Sequence, residues 1–324
     1  MGAAVGADGA VDVCVVGSVG RDLLFPVESL PRPGQTVLSA DLTTAIGGKG
    51  SNQAAAAARL GRRTALLARV GADDSADLVA DLARSGVSTF ACLPTSGTPS
   101  QHAVLLVAPD GENMIAVSQG ASALLSPQDV EQHAELIRSA RVVLLQQEIP
   151  AETVAAAIAL ASSGGAADGR RRPVTMLNPA PFRQIPAEVL SGVDILVPNA
   201  GELADLLGAD EPETAAQAVE LLRAQGLPTR CVIVTLGAEG ALIARADGDD
   251  VEFVTVPAPK VEVVDTVGAG DVFCGALADA LARDVDLVDA VRWATHAAAL
   301  AVTKPGAQGG LPSAADVTAL MSGG

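Results

Sequence analysis

Short runs of β-branched and other apolar residues alternate along the chain with longer stretches rich in Ala and Leu. Residues 11–16 predict a buried strand ended by Gly17, residues 51–60 predict a helix stopped by Gly61, and residues 64–70 predict the next strand. Further strands are predicted at residues 141–146, 174–177, 194–197 and 231–235, with helices between them. Repeated strand-helix-strand units predict a right-handed, mostly parallel sheet that is covered by helices on both faces.

Two segments interrupt this rhythm. Residues 36–44 alternate in the way that is typical of an exposed strand, and residues 102–108 and 114–118 flank a loop with the turn pair Asp110-Gly111. Neither segment fits a parallel crossover. We interpret them as a small antiparallel sheet that projects over the main domain as a lid, with an edge extension that has no function as the alternative.

The length and composition favour one α/β domain. Apolar residues make up 49% of the 324 residues and aromatic residues only 2%, so the core must consist of Ala, Val, Leu and Ile. Residues 1–10 are rich in Gly and Ala and lack the basic start of a signal peptide, so we expect a disordered tail. Residues 11–324 are then a single domain, with the lid strands inserted at about 20–45 and 100–118.

The charge and the cysteines exclude several classes of function. The formal net charge of −17 and the lack of basic runs argue against nucleic acid or an anionic membrane as the partner. A polyphosphate ligand would need a local positive field, from backbone N–H groups, a helix N-terminus, a cation or a single Lys or Arg. The four cysteines have no metal-binding spacing and no run reaches transmembrane length, so we expect a soluble cytoplasmic protein with reduced thiols.

The most informative segment is the run Gly268-Ala269-Gly270-Asp271, which leads into an Ala- and Leu-rich helix. Small residues at a helix start expose unpaired N–H donors at the positive end of the helix dipole, which makes an anion-binding site. Asp271 could accept a proton from an attacking hydroxyl there, or could simply cap the helix. The chain has no Walker A loop and no GxGxxG fingerprint.

A second Gly-rich segment, from Gly47 to Gln53, also runs into a helix. Exposed backbone beside the ammonium of Lys49 and the amide of Asn52 suits hydrogen bonding to a polyhydroxyl ligand. The entry into a helix would by itself explain the glycines, and a solvated side chain would by itself explain the lysine.

In this order, and about two hundred residues apart, the runs GGKGSNQ and DTVGAGD resemble the two signatures of the PfkB family, the ribokinase-like carbohydrate kinases. GGKGSNQ, LNPAP and the late KPGAQ run resemble the ribokinase branch in particular. The similarity extends from Val11 to about Pro312 through Gly17-Ser18 to Asp22, Gln147-Glu148, Leu177 to Pro181, Pro198-Asn199 with Glu202, Thr235 to Gly240, and Lys304 to Gln308.

This resemblance implies a Rossmann-like three-layer α/β/α sandwich with a β-sheet lid that often forms a homodimer interface. It implies a sugar and ATP as substrates, with Mg²⁺ on the phosphates and K⁺ nearby. Asp271 would be the catalytic base and would touch the sugar, beside the anion hole of Gly268, Ala269 and Gly270. The implied sugar contacts are Gly20, Asp22, Gly48, Lys49, Gly50, Asn52 and Glu148.

The resemblance also assigns the nucleotide and cation sites. Asn199 and Glu202 would lie near the phosphates and Mg²⁺, and Thr295 near the adenine base. The nucleotide would follow Thr235, Leu236, Gly237, Ala238, Glu239 and Gly240. A monovalent cation would be held around Asp265, Val267, Ala301, Lys304, Gly306 and Gly310.

Two positions depart from the ribokinase pattern. Gly310 stands where a Ser often completes the cation site, and Gly20 stands where an Asn usually bonds the sugar. Losing one partner of a sugar hydroxyl weakens binding by about 1–3 kcal/mol unless water or a bulkier substrate fills the gap. D-Ribose is the expected substrate; the alternatives are fructose, a keto-deoxy sugar acid or a nucleoside, and a sugar- or nucleotide-binding module without catalysis.

Overall fold

The computed structural model describes residues 11–39, 41–109, 112–163, 171–248 and 250–323, so the predicted tail at residues 1–10 and the turn pair Asp110-Gly111 lie outside the described residues. The strands are β1 Val13–Val16, β2 Gly20–Pro26, β3 Thr43–Gly47, β4 Thr64–Gly71, β5 Val87–Ser88, β6 Cys92–Thr95, β7 Gln101–Val107, β8 Asn113–Ser118, β9 Val142–Leu145, β10 Val174–Leu177, β11 Ile195–Leu196, β12 Cys231–Thr235, β13 Ala241–Asp247 and β14 Asp250–Val256. The α-helices are α1 Lys49–Arg59, α2 Ala76–Arg84, α3 Pro127–Gln132, α4 Ala134–Ser139, α5 Ala151–Ser162, α6 Ala187–Leu190, α7 Ala200–Leu207, α8 Ala215–Gln225, α9 Ala269–Ala282, α10 Leu287–Ala301 and α11 Ala314–Ser322, with 3₁₀ turns at Gly120–Leu124 and Gly237–Glu239.

The main sheet has the order β14-β13-β12-β11-β10-β9-β1-β4-β5, with β6 also paired to β4. Its centre is parallel, because Val13 of β1 pairs in register with Thr64 on one side and with Val142 on the other. The edge formed by β12, β13 and β14 is antiparallel. The predicted parallel sheet is therefore confirmed, and the antiparallel hairpin at its edge is an addition to it.

Alternate residues of β1 point into two separate apolar clusters, which places helices on both faces of the sheet. Val13 and Val15 belong to a cluster with apolar residues of α1, α9 and α10, whereas Cys14 and Val16 belong to one with residues of α5 and α8. This arrangement is the three-layer α/β/α sandwich that the sequence predicted.

Small side chains bring α1 and α9 close together. Ala54, Ala55, Ala56 and Ala57 of α1 are almost fully buried. A β-carbon placed on Gly275 of α9 would lie 2.5 Å from the carbonyl oxygen of Gln53 and 2.6 Å from Cβ of Ala56. The middle of α9 is therefore held directly against α1.

The lid is a separate sheet with the order β3-β2-β7-β8. The prediction that this sheet is antiparallel is wrong at its centre, because β2 and β7 pair parallel. The predicted hairpin is confirmed as β7 and β8, which pair antiparallel. The strand predicted at residues 36–44 is wrong in its first part. Among the described residues of this segment before Thr43, where β3 begins, only Ser39 forms a bridge, to Val27. The pairing of Gly20–Leu24 with residues 43–47, rather than the local alternation, decides where β3 lies.

Candidate active site

Polar residues follow the carboxyl ends of neighbouring parallel strands. Ser18 follows β1, Glu148 follows β9, Asn178 follows β10 and Asn199 follows β11. The carboxyl ends of parallel strands in an open α/β sheet form the usual ligand crevice. The residues singled out in the sequence therefore lie along one edge of the sheet.

The start of α9 has the geometry of an anion site. Gly268 is the N-cap in the left-handed conformation, with φ 78°, and a β-carbon there would lie 2.8 Å from Ala307. The N–H of Ala269 donates to the carbonyl of Thr266 at 3.2 Å. In the part of the chain that the structure describes, the N–H groups of Gly268, Gly270 and Asp271 have no acceptor. These three donors lie at the positive end of the helix dipole and can hold a phosphoryl group.

Asp271 does not cap its helix. It is the third residue of α9, and its carboxylate accepts hydrogen bonds from Nδ2 of Asn52 and Nε2 of Gln53, each at 3.0 Å. Burial raises the pKa of this carboxyl, while the charge of Lys49 and the two amide bonds act in the opposite direction. The capping alternative is therefore wrong, and Asp271 is a buried carboxylate that α1 holds in place.

A chain of buried amides extends behind Asp271. Gln53 Nε2 also donates to Oδ1 of Asn178 at 3.1 Å, and its Oε1 accepts from Nε2 of Gln146 at 2.6 Å. On the other side, Nε2 of Gln308 donates to Oδ1 of Asn52 at 3.0 Å. Nothing in the sequence alone marks the roles of Gln53, Gln146 and Gln308, because a glutamine carries no spacing signal when its partners are distant in the chain.

Lys49 is the first residue of α1 and faces the same crevice. The negative charge of Asp271 is the main cause that raises the pKa of the Lys49 ammonium above its usual value, with Glu148 and Glu202 adding to it, so the side chain stays charged. The main-chain N–H of Lys49 donates to Glu148 at 2.9 Å, and the hydroxyl of Ser18 donates to the same carboxylate.

The lid contributes a second carboxylate. Burial, with repulsion from Glu148 and Asp271, raises the pKa of Asp22 to about 6. Gly47 leaves room for this group, because a β-carbon at residue 47 would overlap the carboxylate of Asp22. Gly50 has a packing role, since a β-carbon there would lie 2.6 Å from the main chain of Ser18.

A cavity of about 190 Å³ lies between α1, α9 and the strand ends. Asn199 and Glu202 line it, and together they form a capping box at the start of α7, with hydrogen bonds of 2.8 and 2.9 Å. Burial raises the pKa of Glu202, partly offset by Asn199 and Lys49. The remaining lining residues are Lys49, Asn178, Ala180, Val197, Thr235, Gly268, Gly270, Asp271 and Cys274.

Most of the other residues predicted to bind the nucleotide lie outside this cavity. Thr235 lines it, whereas Gly237, Ala238 and Glu239 form the 3₁₀ turn between β12 and β13, with Leu236 and Gly240 at its ends. Thr295 is buried in α10 and donates its hydroxyl to the carbonyl of Val291 at 2.8 Å. The cavity is therefore lined by residues predicted to lie near the phosphates, and not by the residue predicted to lie near the adenine base.

The residues predicted around a monovalent cation form two joined loops. The carboxylate of Asp265 accepts from the N–H of Val267 at 2.9 Å and from the N–H of Gly306 at 2.8 Å. The N–H of Lys304 donates to the carbonyl of Ala301 at 3.4 Å. A β-carbon on Gly310 would overlap that same carbonyl, so the absence of a side chain at residue 310 belongs to the local packing.

Known proteins resemble most of the chain. Residues 10–314 match the pfkB family of carbohydrate kinases. A ribokinase of Bacillus subtilis is 36% identical over 313 residues, with 96% of this chain and 99% of that protein covered. A deoxyribokinase of Salmonella typhimurium is 34% identical over 307 residues, with 94% and 96% covered.

Solved structures agree with these relatives. The structure of Arabidopsis thaliana ribokinase complexed with ribose and ATP has a TM-score of 0.85 and 31% sequence identity, and the alignment covers 96% of this chain and 99% of that one. In the described part of the chain, no helix combines the length and the apolarity that crossing a membrane requires. With the two signature runs joined at Asp271 in one crevice, the chain belongs to the pfkB family of carbohydrate kinases and is an ATP-dependent carbohydrate kinase.

Proposed function

We propose that the chain transfers the γ-phosphate of ATP to a hydroxyl of D-ribose and forms ribose 5-phosphate. The observation that carries this proposal is the buried carboxylate of Asp271 at the start of α9, beside unpaired N–H donors. Asn52 of α1 bonds Asp271, and Lys49, one turn earlier in the same helix, bonds Glu148. The relatives named ribokinase support ribose among the sugars.

In this proposal Asp271 accepts the proton of the attacking sugar hydroxyl, while the oxygen of that hydroxyl forms the bond to the γ-phosphorus. The bond between that phosphorus and the β,γ-bridging oxygen breaks, and ADP leaves with the electron pair. The N–H groups of Gly268, Gly270 and Asp271 hold the charge on the transferred phosphoryl group, and the ammonium of Lys49 adds a positive charge to the crevice.

Mg²⁺ fits the phosphate end of the cavity in the manner typical of kinases. Among the described residues, no group of three His, Cys, Asp or Glu side chains could hold a metal ion. Glu202 lines the cavity, and only its Oε2 is engaged in the capping box. Mg²⁺ usually takes one or two carboxylates and fills its shell with water and phosphate oxygens, and bound there it would neutralise charge on the phosphates.

K⁺ fits the loops around Asp265 in part. They hold the carboxylate of Asp265 beside the main chains of Val267 and Gly306, but have no hydroxyl at Gly310. The carbonyls of Val267, Ala301, Lys304 and Gly306 are the further ligands that the family resemblance implies. We propose that a monovalent cation there stiffens the loop that leads into the anion site. Activity measured with K⁺ against a tetramethylammonium control tests this, and equal rates would contradict it.

We also propose a cytoplasmic homodimer that forms through the lid. Every residue of β8 is exposed at the edge of the lid sheet, and Met114, Ile115 and Val117 are half-exposed apolar side chains. The free thiols of the four cysteines are consistent with a reducing compartment. Light scattering should show a dimer for the wild type and a monomer for Ile115→Lys; a monomeric wild type would contradict the proposal.

2-Deoxyribose is the second candidate substrate, because Gly20 lacks the expected amide side chain and a relative of 34% identity is a deoxyribokinase. The deciding experiment is an ADP-release assay over ribose, 2-deoxyribose, fructose, a keto-deoxy sugar acid and a nucleoside, with the product identified by ³¹P NMR. We expect the highest kcat/KM with ribose. A higher value for another substrate would replace ribose, and ligand binding without turnover would contradict the kinase mechanism.

A further inference from the structure

A buried glutamine stands beside the carboxylates of the sugar end. Gln101 is the first residue of β7 and is only 3% exposed. Its Nε2 donates to Glu148 at 3.3 Å, whereas its Oε1 is buried without a hydrogen-bond partner among the described residues. A buried amide oxygen normally has a donor, so Oε1 of Gln101 is free to accept a hydrogen bond from a ligand.

The position of Gln101 is tied to Gly20. The two residues are register partners in the pairing of β2 with β7. A β-carbon on residue 20 would lie 2.7 Å from Cβ of Gln101 and would overlap its carbonyl oxygen. A side chain at residue 20 is therefore incompatible with β7 in this place, and the amide at this point of the lid belongs to residue 101.

We propose that Gln101 is a substrate-binding residue whose Oε1 accepts a hydrogen bond from a sugar hydroxyl, in place of the side chain that Gly20 lacks. Its partner Glu148 also accepts the main-chain N–H of Lys49, and Asn52, one turn along α1, bonds Asp271. The hydroxyl that Gln101 binds is thus a different one from the hydroxyl that Asp271 deprotonates.

This assignment makes Gln101 a determinant of specificity. A site built to bond a hydroxyl rejects the analogue that lacks it, because the buried oxygen is then left unpaired. The inference rests on the proposed function only in requiring a sugar as the acceptor, and it holds for whichever sugar the chain phosphorylates.

The test compares the wild type with Gln101→Met, which keeps the size of the side chain and removes both polar atoms. Gln225→Met, on an exposed residue at the end of α8, is the matched control. With ribose we expect kcat/KM of Gln101→Met to fall about 5- to 100-fold, mainly through the KM of the sugar, while the KM of ATP and the activity of the control stay unchanged.

The decisive comparison uses the 1-, 2- and 3-deoxy analogues of ribose as a double-mutant cycle between protein and ligand. We expect the loss in Gln101→Met to shrink to about twofold or less with one analogue and to persist with the other two. An equal loss with every sugar would show a purely structural role, and no loss would show that Oε1 makes no contact; either result overturns the proposal. Failure of the wild type to phosphorylate ribose would instead contradict the substrate, and the same cycle would then be run on the preferred sugar.

Discussion

Gln53 offers a demanding test, because it touches Asp271, the proposed catalytic base, without lining the cavity of the candidate active site. Its Nε2 donates to Asp271 at 3.0 Å, and this bond favours the charged form of the carboxylate. Gln53→Met keeps the volume of the side chain and removes that donor. Gln146 and Asn178 would each lose one buried hydrogen-bond partner as well.

The expected shift follows from the energy of one hydrogen bond. A bond to a charged group contributes about 1.5–3 kcal/mol, and 1.36 kcal/mol corresponds to one pKa unit, so the pKa of Asp271 should rise by about 1–2 units. Asp271 must be ionised to accept a proton, and kcat therefore declines as the pH falls through that pKa. In Gln53→Met this decline should begin about 1–2 pH units higher.

The assay is the pH dependence of kcat at saturating sugar and ATP, with urea unfolding measured in parallel. The free energy of unfolding should fall by about 1–3 kcal/mol for each of the three buried groups that lose a partner, Asp271, Gln146 and Asn178. Gln225→Met, which changes an exposed glutamine in the same way, should match the wild type in both measurements. A pH profile of Gln53→Met that overlays the wild-type profile would refute the positioning role, whatever the loss of stability.

Two further substitutions test the lid and the helix start. The pKa of Asp22 is raised from 3.8 to about 6, so ionisation of this group opposes folding. Compared with the wild type, Asp22→Asn should therefore gain at most about 3 kcal/mol of unfolding free energy above pH 6 and nothing below pH 4. Urea unfolding at both pH values measures this, and equal stability of the two proteins above pH 6 would contradict it. In Gly268→Ala, the Ala at φ 78° is strained and its β-carbon would lie 2.8 Å from Ala307, so the start of α9 must shift. This shift displaces the anion site, and we expect the KM of ATP to rise and kcat to fall about 100-fold. Wild-type constants in steady-state kinetics would argue against backbone binding of the phosphoryl group.

The sequence predicted the elements whose signal is local. Val174–Leu177 and Cys231–Thr235 match their predicted bounds, because continuous apolar runs bounded by polar residues mark buried parallel strands. The strand at residues 36–44 was wrong in its first part, because an edge strand takes its register from its partner rather than from its own alternation.

The site divides in the same way. Glycine runs at helix starts carry their geometry in the sequence, so Gly268 to Asp271 and Gly47 to Asn52 could be found there. Gln53 and Gln101 could not, because their roles depend on contacts with Asp271 and Glu148 that are far away in the chain. Gly20 was recognised as a departure, but only the pairing of β2 with β7 shows that Gln101 fills the space.

The most direct test of the central claim is phosphoryl transfer by Asp271→Asn, measured in single turnovers with saturating ribose and ATP. A general base contributes about 10²- to 10⁴-fold, so the rate of transfer should fall by at least about 100-fold, with ATP binding kept because the anion site is backbone. Asp289→Asn, on the exposed side of α10, is the control. A transfer rate for Asp271→Asn close to that of the wild type would contradict the assignment of Asp271 as the base.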